Sequence, residues 1–383
     1  MRLGSSHAKP KAYSPLVQPL VRQEGQLLED IGEWGLLSTM REMFPSKGKK
    51  VILGIGDDAA ILRQDKKKKL FATTDILAEG VHFDLSYTSP YYLGRKAVAV
   101  NMSDIAAMGG IPRYALLSLA LPRRLSEGFF TLFLRGVKSM CRSYGVALVG
   151  GDTSSSGNGV FISLSLLGEG EKFLTRTGAR DGDRVFVTGT LGDSSLGLRI
   201  LRKLRNPSLV SLNIQEKTLA LRHLDPRPRL KEGRALVSRN VASAMIDVSD
   251  GLLSDLGHIS EESRVGVRIW VERIPISRAL CSLAFSYGQD PVALALSGGE
   301  DYEILFTVPE KNIRGGITSI LGTRVTEIGV MDSSVHGIEV RREGKPYKFM
   351  GRGYEHFREP YPSQSKGECI PRDKGRERKK AIR

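Results

Sequence analysis

Val51-Ile52-Leu53-Gly54-Ile55-Gly56-Asp57-Asp58-Ala59-Ala60 is the stretch from which the rest of the chain is read: a strand-like apolar run enters a glycine-spaced turn that delivers two adjacent carboxylates. Neighbouring like charges repel, and each raises the other's pKa unless a cation lies between them or water screens them. The same residues would serve as a solvated turn ahead of the next element, because Gly and Asp are ordinary turn formers. The two readings separate on whether other acids gather in the same way elsewhere.

Other acids do. Thr73-Thr74-Asp75 follows the strand-like Leu70–Ala72 and sets two hydroxyls beside an acid. In Asn101-Met102-Ser103-Asp104 the i, i+3 spacing places Asn101 and Asp104 on one helix face. Gly150-Gly151-Asp152-Thr153 follows a strand ending at Val149, Asp247-Val248-Ser249-Asp250-Gly251 follows another, and Gly298-Gly299-Glu300-Asp301 precedes one. Taken singly these are caps, turns or solvated faces. Six such clusters in a chain of net charge +15 point instead to one oxygen-rich site. Carboxylates and hydroxyls without paired His or Cys suit Mg²⁺ or Mn²⁺ rather than zinc. Hard cations held this way imply a polyphosphate, cradled by the backbone N–H groups of glycine turns. No GxxxxGK[ST] is present, nor the protein-kinase set. Gly54-Ile55-Gly56 lacks the third glycine of a dinucleotide fingerprint.

The length of 383 residues and 40% apolar content predict a protein of two α/β domains, in which strands and helices alternate. Residues 1–26 read as an extension, 27–170 as the first domain, 171–360 as the second and 361–383 as a basic disordered tail. The periodicity predicts helices over Leu27–Phe44, from Pro90 to the stop at Gly109-Gly110, over Ser126–Tyr144, Gly192–Leu204 and Leu252–Glu262. Strands are expected at Leu70–Thr74, Tyr114–Leu121, Ala147–Val149, Val160–Leu167, Arg184–Thr188, Ala242–Ile246 and Glu303–Val308. Asn206–Gln215 reads as loop. No apolar run reaches membrane-spanning length, no secretory signal is expected, and three scattered cysteines fit a reducing cytoplasm. The two ends carry +3 and +5, leaving +7 between them, a modest excess for a protein that handles phosphates, while the basic tail reads as a solvated end that adds weak, salt-sensitive polyanion binding.

Seven ordered motifs carry a family resemblance: GIGDDAA (54–60), TTDILAEGVHF (73–83), KAVAVNMSDIAAMGG (96–110), VGGDTS (149–154), TRTGARDGDRVFVTGTLGDS (175–194), IDVSDGLLSDLGHI (246–259) and LSGGEDYEILFTV (296–308). Together they resemble the thiamine-monophosphate kinase family over about Leu27–Phe357. The resemblance implies the PurM-like fold of the aminoimidazole-ribonucleotide-synthetase superfamily, with an N-terminal domain that pairs with its twin as a dimeric barrel and a larger C-terminal α/β domain. It implies ATP as co-substrate, thiamine monophosphate as acceptor, several Mg²⁺ ions, a homodimer, and no membrane or specific nucleic-acid partner. By that similarity Asp58, Thr73, Thr74, Asp75, Asp104, Asp152, Asp247 and Asp250 are metal ligands, with Asp75, Asp104, Asp152 and Asp247 at the catalytic centre. Tyr144, Gly151, Asp152, Arg176 and Ser249 contact ATP; His82, Glu300 and Tyr354 contact the thiamine phosphate. Asp57 is left as a capping or supporting group. Thr73 stands where many relatives have Ser, which keeps the hydroxyl.

The chemistry agrees with so many acids and no nucleophile–base pair. A phosphate oxygen is already ionised at neutral pH, so anion–anion repulsion is the obstacle, and metal ions remove most of it. Three alternatives remain: aminoimidazole-ribonucleotide synthetase, a hydrogenase-maturation enzyme, or a basic nucleic-acid-binding protein. Selenophosphate synthetase would need a reactive cysteine in an N-terminal loop, and none precedes Cys141.

Overall fold

The computed structural model describes residues 51–53, 57–64, 67–204, 209–313 and 319–349. The expected helix Leu27–Phe44, the extension, the tail, Gly54, Gly56 and Tyr354 lie outside these residues.

The first sheet has six strands: β1 (Val51–Leu53), β2 (Ala60–Arg63), β3 (Lys69–Ala78), β4 (Ile111–Pro122), β5 (Ala147–Ser156) and β6 (Phe161–Gly170), in the order β1-β2-β3-β6-β4-β5. Only β4 and β5 run parallel. Side chains alternate along β6, with Ile162, Leu164 and Leu166 buried and Phe161 exposed, the pattern of a sheet covered on one face. The covering helices are α1 (Pro90–Ala107) and α2 (Glu127–Tyr144).

The second sheet holds β7 (Arg184–Thr188), β8 (Ala244–Asp247), β9 (Val267–Trp270), β10 (Ile304–Val308), β11 (Ser319–Ile320), β12 (Thr323–Met331), β13 (Ile338–Arg342) and β14 (Lys345–Pro346). Its order is β14-β13-β9-β12-β7-β10-β8, with β11 on β12 and only β13–β9 parallel. Every residue of β10 is buried, because helices cover both faces. One face meets α6 (Leu252–Ser263) and α8 (Pro291–Ser297) through Leu256, Ile259 and Ala295. The other, carrying the stacked Phe186 and Phe306, joins the core around α1 and α5 (Leu230–Ser238). Helices α3 (Asp193–Leu204), α4 (Ile214–Leu224) and α7 (Arg278–Leu283) complete the second unit.

Helix α1 is therefore enclosed from both sides. Ser89 caps its first turn by accepting from the Tyr92 N–H, and Pro90 occupies the position where a missing N–H costs nothing. From Leu93 to Ala107 nearly every residue is buried, so its apolar residues form no stripe. Close approach to α2 depends on two glycines. A Cβ on Gly94 would lie 2.1 Å from the Phe133 carbonyl oxygen, and one on Gly136 2.0 Å from that of Tyr91.

Three expectations are corrected. Strand β3 runs on to Ala78 instead of stopping at Thr74, because β6 pairs it throughout, so Asp75 stands mid-strand opposite Leu164. Strand β5 runs on to Ser156, so Gly150-Gly151-Asp152-Thr153 is edge strand, not a turn. The loop assigned to 206–215 gives way at Ile214 to α4, and neither α4 nor α5 has a counterpart in the sequence reading. The missed signal was the capping box of Asn213 with Glu216.

The helix crossing gives a prediction whose sign separates packing from propensity. Gly136→Ala should gain ~1 kcal/mol if only helix propensity counts. Overpacking against Tyr91 should instead cost about 1–3 kcal/mol, read as a lower midpoint in urea unfolding.

Candidate functional site

The two sheets and α1 converge on a group of acids. Asp58 follows β1, Asp75 lies on β3, Asp104 on α1, and Asp247 ends β8. Carboxylate oxygens of Asp58, Asp104 and Asp247 all lie within 4.8 Å of one another. Two hydroxyls brace them: Thr73 Oγ1 donates to Asp104 Oδ2 at 2.5 Å, and Ser103 Oγ to Asp247 Oδ2 at 2.5 Å. Thr73 and Asp75 share the inward face of β3, where the two-residue period puts them.

These acids are held away from water beside one another, and their pKa values respond. Burial, then the charge of Asp58, pushes Asp75 up to about 6 and Asp247 to about 8. Asp104 is raised well above the usual range by burial and by Asp75, Asp247 and Asp58. Asp57 rises to about 7 through burial and Asp58. Asp58 is also raised by burial, although Arg176 opposes it. That guanidinium donates from Nη2 to Asp58 Oδ1 at 2.6 Å, and the Arg176 backbone N–H donates to Asp57 Oδ2 at 3.2 Å. Asp58 Oδ2 is buried and accepts no hydrogen bond among the described residues. Such an oxygen among other carboxylates and hydroxyls fits a hard divalent cation, which would let the acids ionise together.

The remaining expected residues are placed unevenly. Thr74 lies on the outer face of β3, bonded to Leu164 O and Ser165 Oγ, away from Asp104. Asp152 is exposed, and its Oδ1 accepts from the Thr153 N–H. Gly151 has φ 155°, and a Cβ there would lie 1.8 Å from the Leu117 carbonyl oxygen, so only glycine lets β5 lie this close to β4. Asp250 belongs to a second cluster with Asp255 and His258, whose ligand atoms lie within 4.8 Å of one another. Asp255 Oδ2 there accepts the backbone N–H groups of Ser249, Asp250 and Gly251 at 3.0–3.2 Å and so shapes the turn after β8. Asp255 went unnoticed in the sequence although IDVSDGLLSDLGHI contains it. Tyr144 ends α2, half-buried near Arg227, Arg95 and Arg229. His82 Nδ1 accepts from the Ala78 N–H at 3.0 Å.

Glu300 is placed by an unusual turn. It and Tyr302 have φ of 64° and 51°, values that cost a non-glycine residue of order 1–3 kcal/mol each. The side chains of Asp301 and Glu303 hold that turn. Asp301 accepts the N–H groups of Gly192 and Ser194 at 2.6 and 3.1 Å. Glu303, fully buried, accepts from Thr188, Arg222 and Arg229 at 2.6–2.7 Å. Glu300 itself meets Lys96 Nζ at 2.8 Å and His223 Nδ1 at 3.0 Å.

Residues 56–170 match the model of the AIR synthase related protein N-terminal domain, and 180–340 that of its C-terminal domain. The chain is 40% identical over 334 residues to thiamine-monophosphate kinase of Salmonella typhimurium, covering 86% of this chain and 99% of that protein. It is 39% identical over 330 residues to thiamine-monophosphate kinase of Aquifex aeolicus, covering the same shares. A solved structure described as AaThiL complexed with AMPPCP and TMP superposes with TM-score 0.76 at 38% identity, covering 87% of this chain and all of that one.

The raised acids give a linkage prediction. A carboxyl whose folded pKa exceeds its unfolded value contributes stability that is full below about pH 4 and is lost as pH rises through the folded value. With Asp75 at about 6, Asp57 at about 7 and Asp247 at about 8, metal-free protein should lose melting temperature between pH 5 and 8. Excess Mg²⁺ should restore more at pH 8 than at pH 6, because binding displaces protons. An equal Mg²⁺ effect at both pH values would remove the cation from this site.

Proposed function

The chain belongs to the thiamine-monophosphate kinase family, and from that premise we infer how its site works. It is an ATP-dependent kinase that phosphorylates thiamine monophosphate to thiamine diphosphate. The observation that supports this site as the place of transfer is the convergence of Asp58, Asp104 and Asp247, with Asp75 coupled to them, from both domains, around a buried carboxylate oxygen that accepts no hydrogen bond among the described residues.

These four acids, with Thr73, would hold Mg²⁺ ions; Asp152 and Asp250 stand further out, where metal carried in on a nucleotide would reach them, whereas Thr74 on the outer face of β3 is not placed to join them. Bound there, Mg²⁺ would neutralise the phosphates of donor and acceptor and align them for in-line displacement. The protein's own contribution is positional. Thr73 and Ser103 fix the carboxylates of Asp104 and Asp247, and the α1 backbone fixes Asp104 relative to β8. Arg176 neutralises part of the cluster through Asp58, and its guanidinium keeps donors beyond the Nη2 that Asp58 takes, Nε among them, for an ATP phosphate. Gly151 on the edge strand β5 and Ser249 in the turn after β8 would contact the nucleotide, with Tyr144 beside an arginine-rich surface. His82, Glu300 and Tyr354 receive the thiamine phosphate.

We assign the first domain to residues 27–170 and the second to 171–360. The outer face of the first sheet exposes Ile76, Tyr114, Leu116 and Phe161, continued by Leu148 and Val149 on the edge strand β5. An apolar face of this kind supports a homodimer in which two such sheets close on each other as a barrel. Among the described residues no helix is long and apolar enough to cross a membrane, and the cytoplasm is the compartment we propose. The other superfamily enzymes and the nucleic-acid-binding alternative are not favoured beside relatives of known name that align over almost their full length.

With ATP and Mg²⁺ the protein should convert thiamine monophosphate, and not free thiamine, to thiamine diphosphate. Asp75→Asn should keep its circular dichroism while kcat falls about a hundredfold or more, as expected when metal stabilisation worth several kcal/mol is impaired. Undiminished turnover would place the transfer elsewhere. For the dimer, Leu116→Glu should halve the mass seen by sedimentation, whereas an unchanged mass would put the interface on another face.

A further inference from the structure

Lys96 is a charged residue in an apolar helix, 1% exposed, and among the described residues its ammonium has one ion-pair partner, Glu300 Oε1 at 2.8 Å. A buried ammonium is costly without a counter-charge, so this pairing fixes both side chains. The other carboxylate oxygen is taken by His223 Nδ1, on α4, at 3.0 Å, with Ser194 Oγ 3.1 Å from the same nitrogen. Burial first, and the charge of Lys96 after it, lowers the His223 pKa, so the ring is neutral and its Nδ1–H donates to Glu300. For Glu300 burial alone would raise the pKa, yet Lys96 and His223 outweigh it and hold the carboxyl well below the usual range. The trio thus sums to zero charge while keeping Glu300 ionised.

Glu300 stays within reach of a ligand. Its side chain is 26% exposed, and its charge acts on Tyr302 together with those of Asp75, Asp247 and Asp104, which sets it beside the acid cluster. A carboxylate already neutralised by its own lysine offers little field to a bare cation such as a thiazolium ring. It offers spare lone pairs to an N–H donor, and the amino group on the pyrimidine ring is the N–H group that unprotonated thiamine monophosphate carries.

We propose that Lys96 and His223 are positioning residues that hold Glu300 as the acceptor for the pyrimidine amino group of thiamine monophosphate. The proposal rests on the reading of the site as a thiamine-monophosphate kinase. Glu300 alone touches substrate; the other two act through it.

Steady-state kinetics on the full chain tests this with Lys96→Met, Glu300→Gln, the double variant, His223→Ala and His223→Asn. Lys96→Met and Glu300→Gln should each raise KM for thiamine monophosphate about tenfold or more, the scale for losing a hydrogen bond to a charged group, while KM for ATP stays within about twofold. The double variant should match Glu300→Gln, because a residue that acts through another adds nothing once that other is gone. His223→Asn, which keeps a donor near Nδ1, should be milder than His223→Ala, and this pair carries the test if Lys96→Met does not fold. Wild type should prefer thiamine monophosphate over the analogue with hydrogen in place of the amino group by about tenfold or more, and Glu300→Gln should lose that preference. Equal rises in both KM values, multiplying effects in the double variant, or wild-type indifference to the analogue would overturn the proposal. Product from wild type with unmoved KM values in the variants sinks this inference alone; no product from wild type sinks the assigned reaction as well.

Discussion

The confinement of α1 between two sheets is the constraint on which the rest depends. A helix without a solvent side must satisfy each polar group it carries inside the protein. Lys96 forms an ion pair with Glu300, Ser103 donates to Asp247, and the Asn101 amide donates back to the Ala97 carbonyl while its Oδ1 accepts no hydrogen bond among the described residues. Two of these partners belong to the second domain, so the needs of a buried helix in the first tie the domains in one register. Because Asp104 follows Ser103 directly, that register also places it among acids from β3 and β8.

The acid cluster is an electrostatic debt that packing alone does not settle. One arginine faces Asp58, while Asp75, Asp104 and Asp247 are pushed up by burial and by each other. At an effective dielectric near 20, two charges at 4 Å repel by about 4 kcal/mol, so several such pairs approach the whole stability of a domain. Protons relieve the repulsion in the metal-free protein, and cations would relieve it more completely. The Lys96–Glu300–His223 trio nearby is the opposite case, a carboxylate whose charge is matched by its own lysine. The two neighbouring groups suit opposite tasks: one is short of positive charge, the other complete.

Much of this was legible in the sequence because turns, glycines and acids are local signals. The acidic motifs and their order were readable, and Asp58, Asp75, Asp104 and Asp247 do meet. The positions of Asp152 and Asp250 were not readable. Strand extent is set by the partner strand: β6 carries β3 through Asp75, and pairing with β4 carries β5 through Asp152. A motif that looks like a turn in one dimension can therefore be edge strand in three. Asp250 was assigned to the cage by the resemblance, and what the motif did not show is that its carboxylate groups with Asp255, one turn into α6, and His258. Helices α4 and α5 escaped because their apolar periodicity is short, and with them went Arg222, His223 and Arg229, the side chains that clamp the Glu300–Glu303 turn. Lys96 stands first in the motif KAVAVNMSDIAAMGG, and its part as a counter-charge follows only from its burial against Glu300.

The enclosure of α1 also bears on how a map of tolerated substitutions would look. A helix with an outward face shows a stripe of permissive positions every three or four residues. Between Leu93 and Ala107 this helix has scarcely an outward position, and Gly94 has no room for even a methyl group. Intolerance will therefore run nearly unbroken along it, and residues that pack will be as unforgiving as residues that hold substrate or metal. The working residues of α1 are told apart from their neighbours by what fails first, turnover or folding.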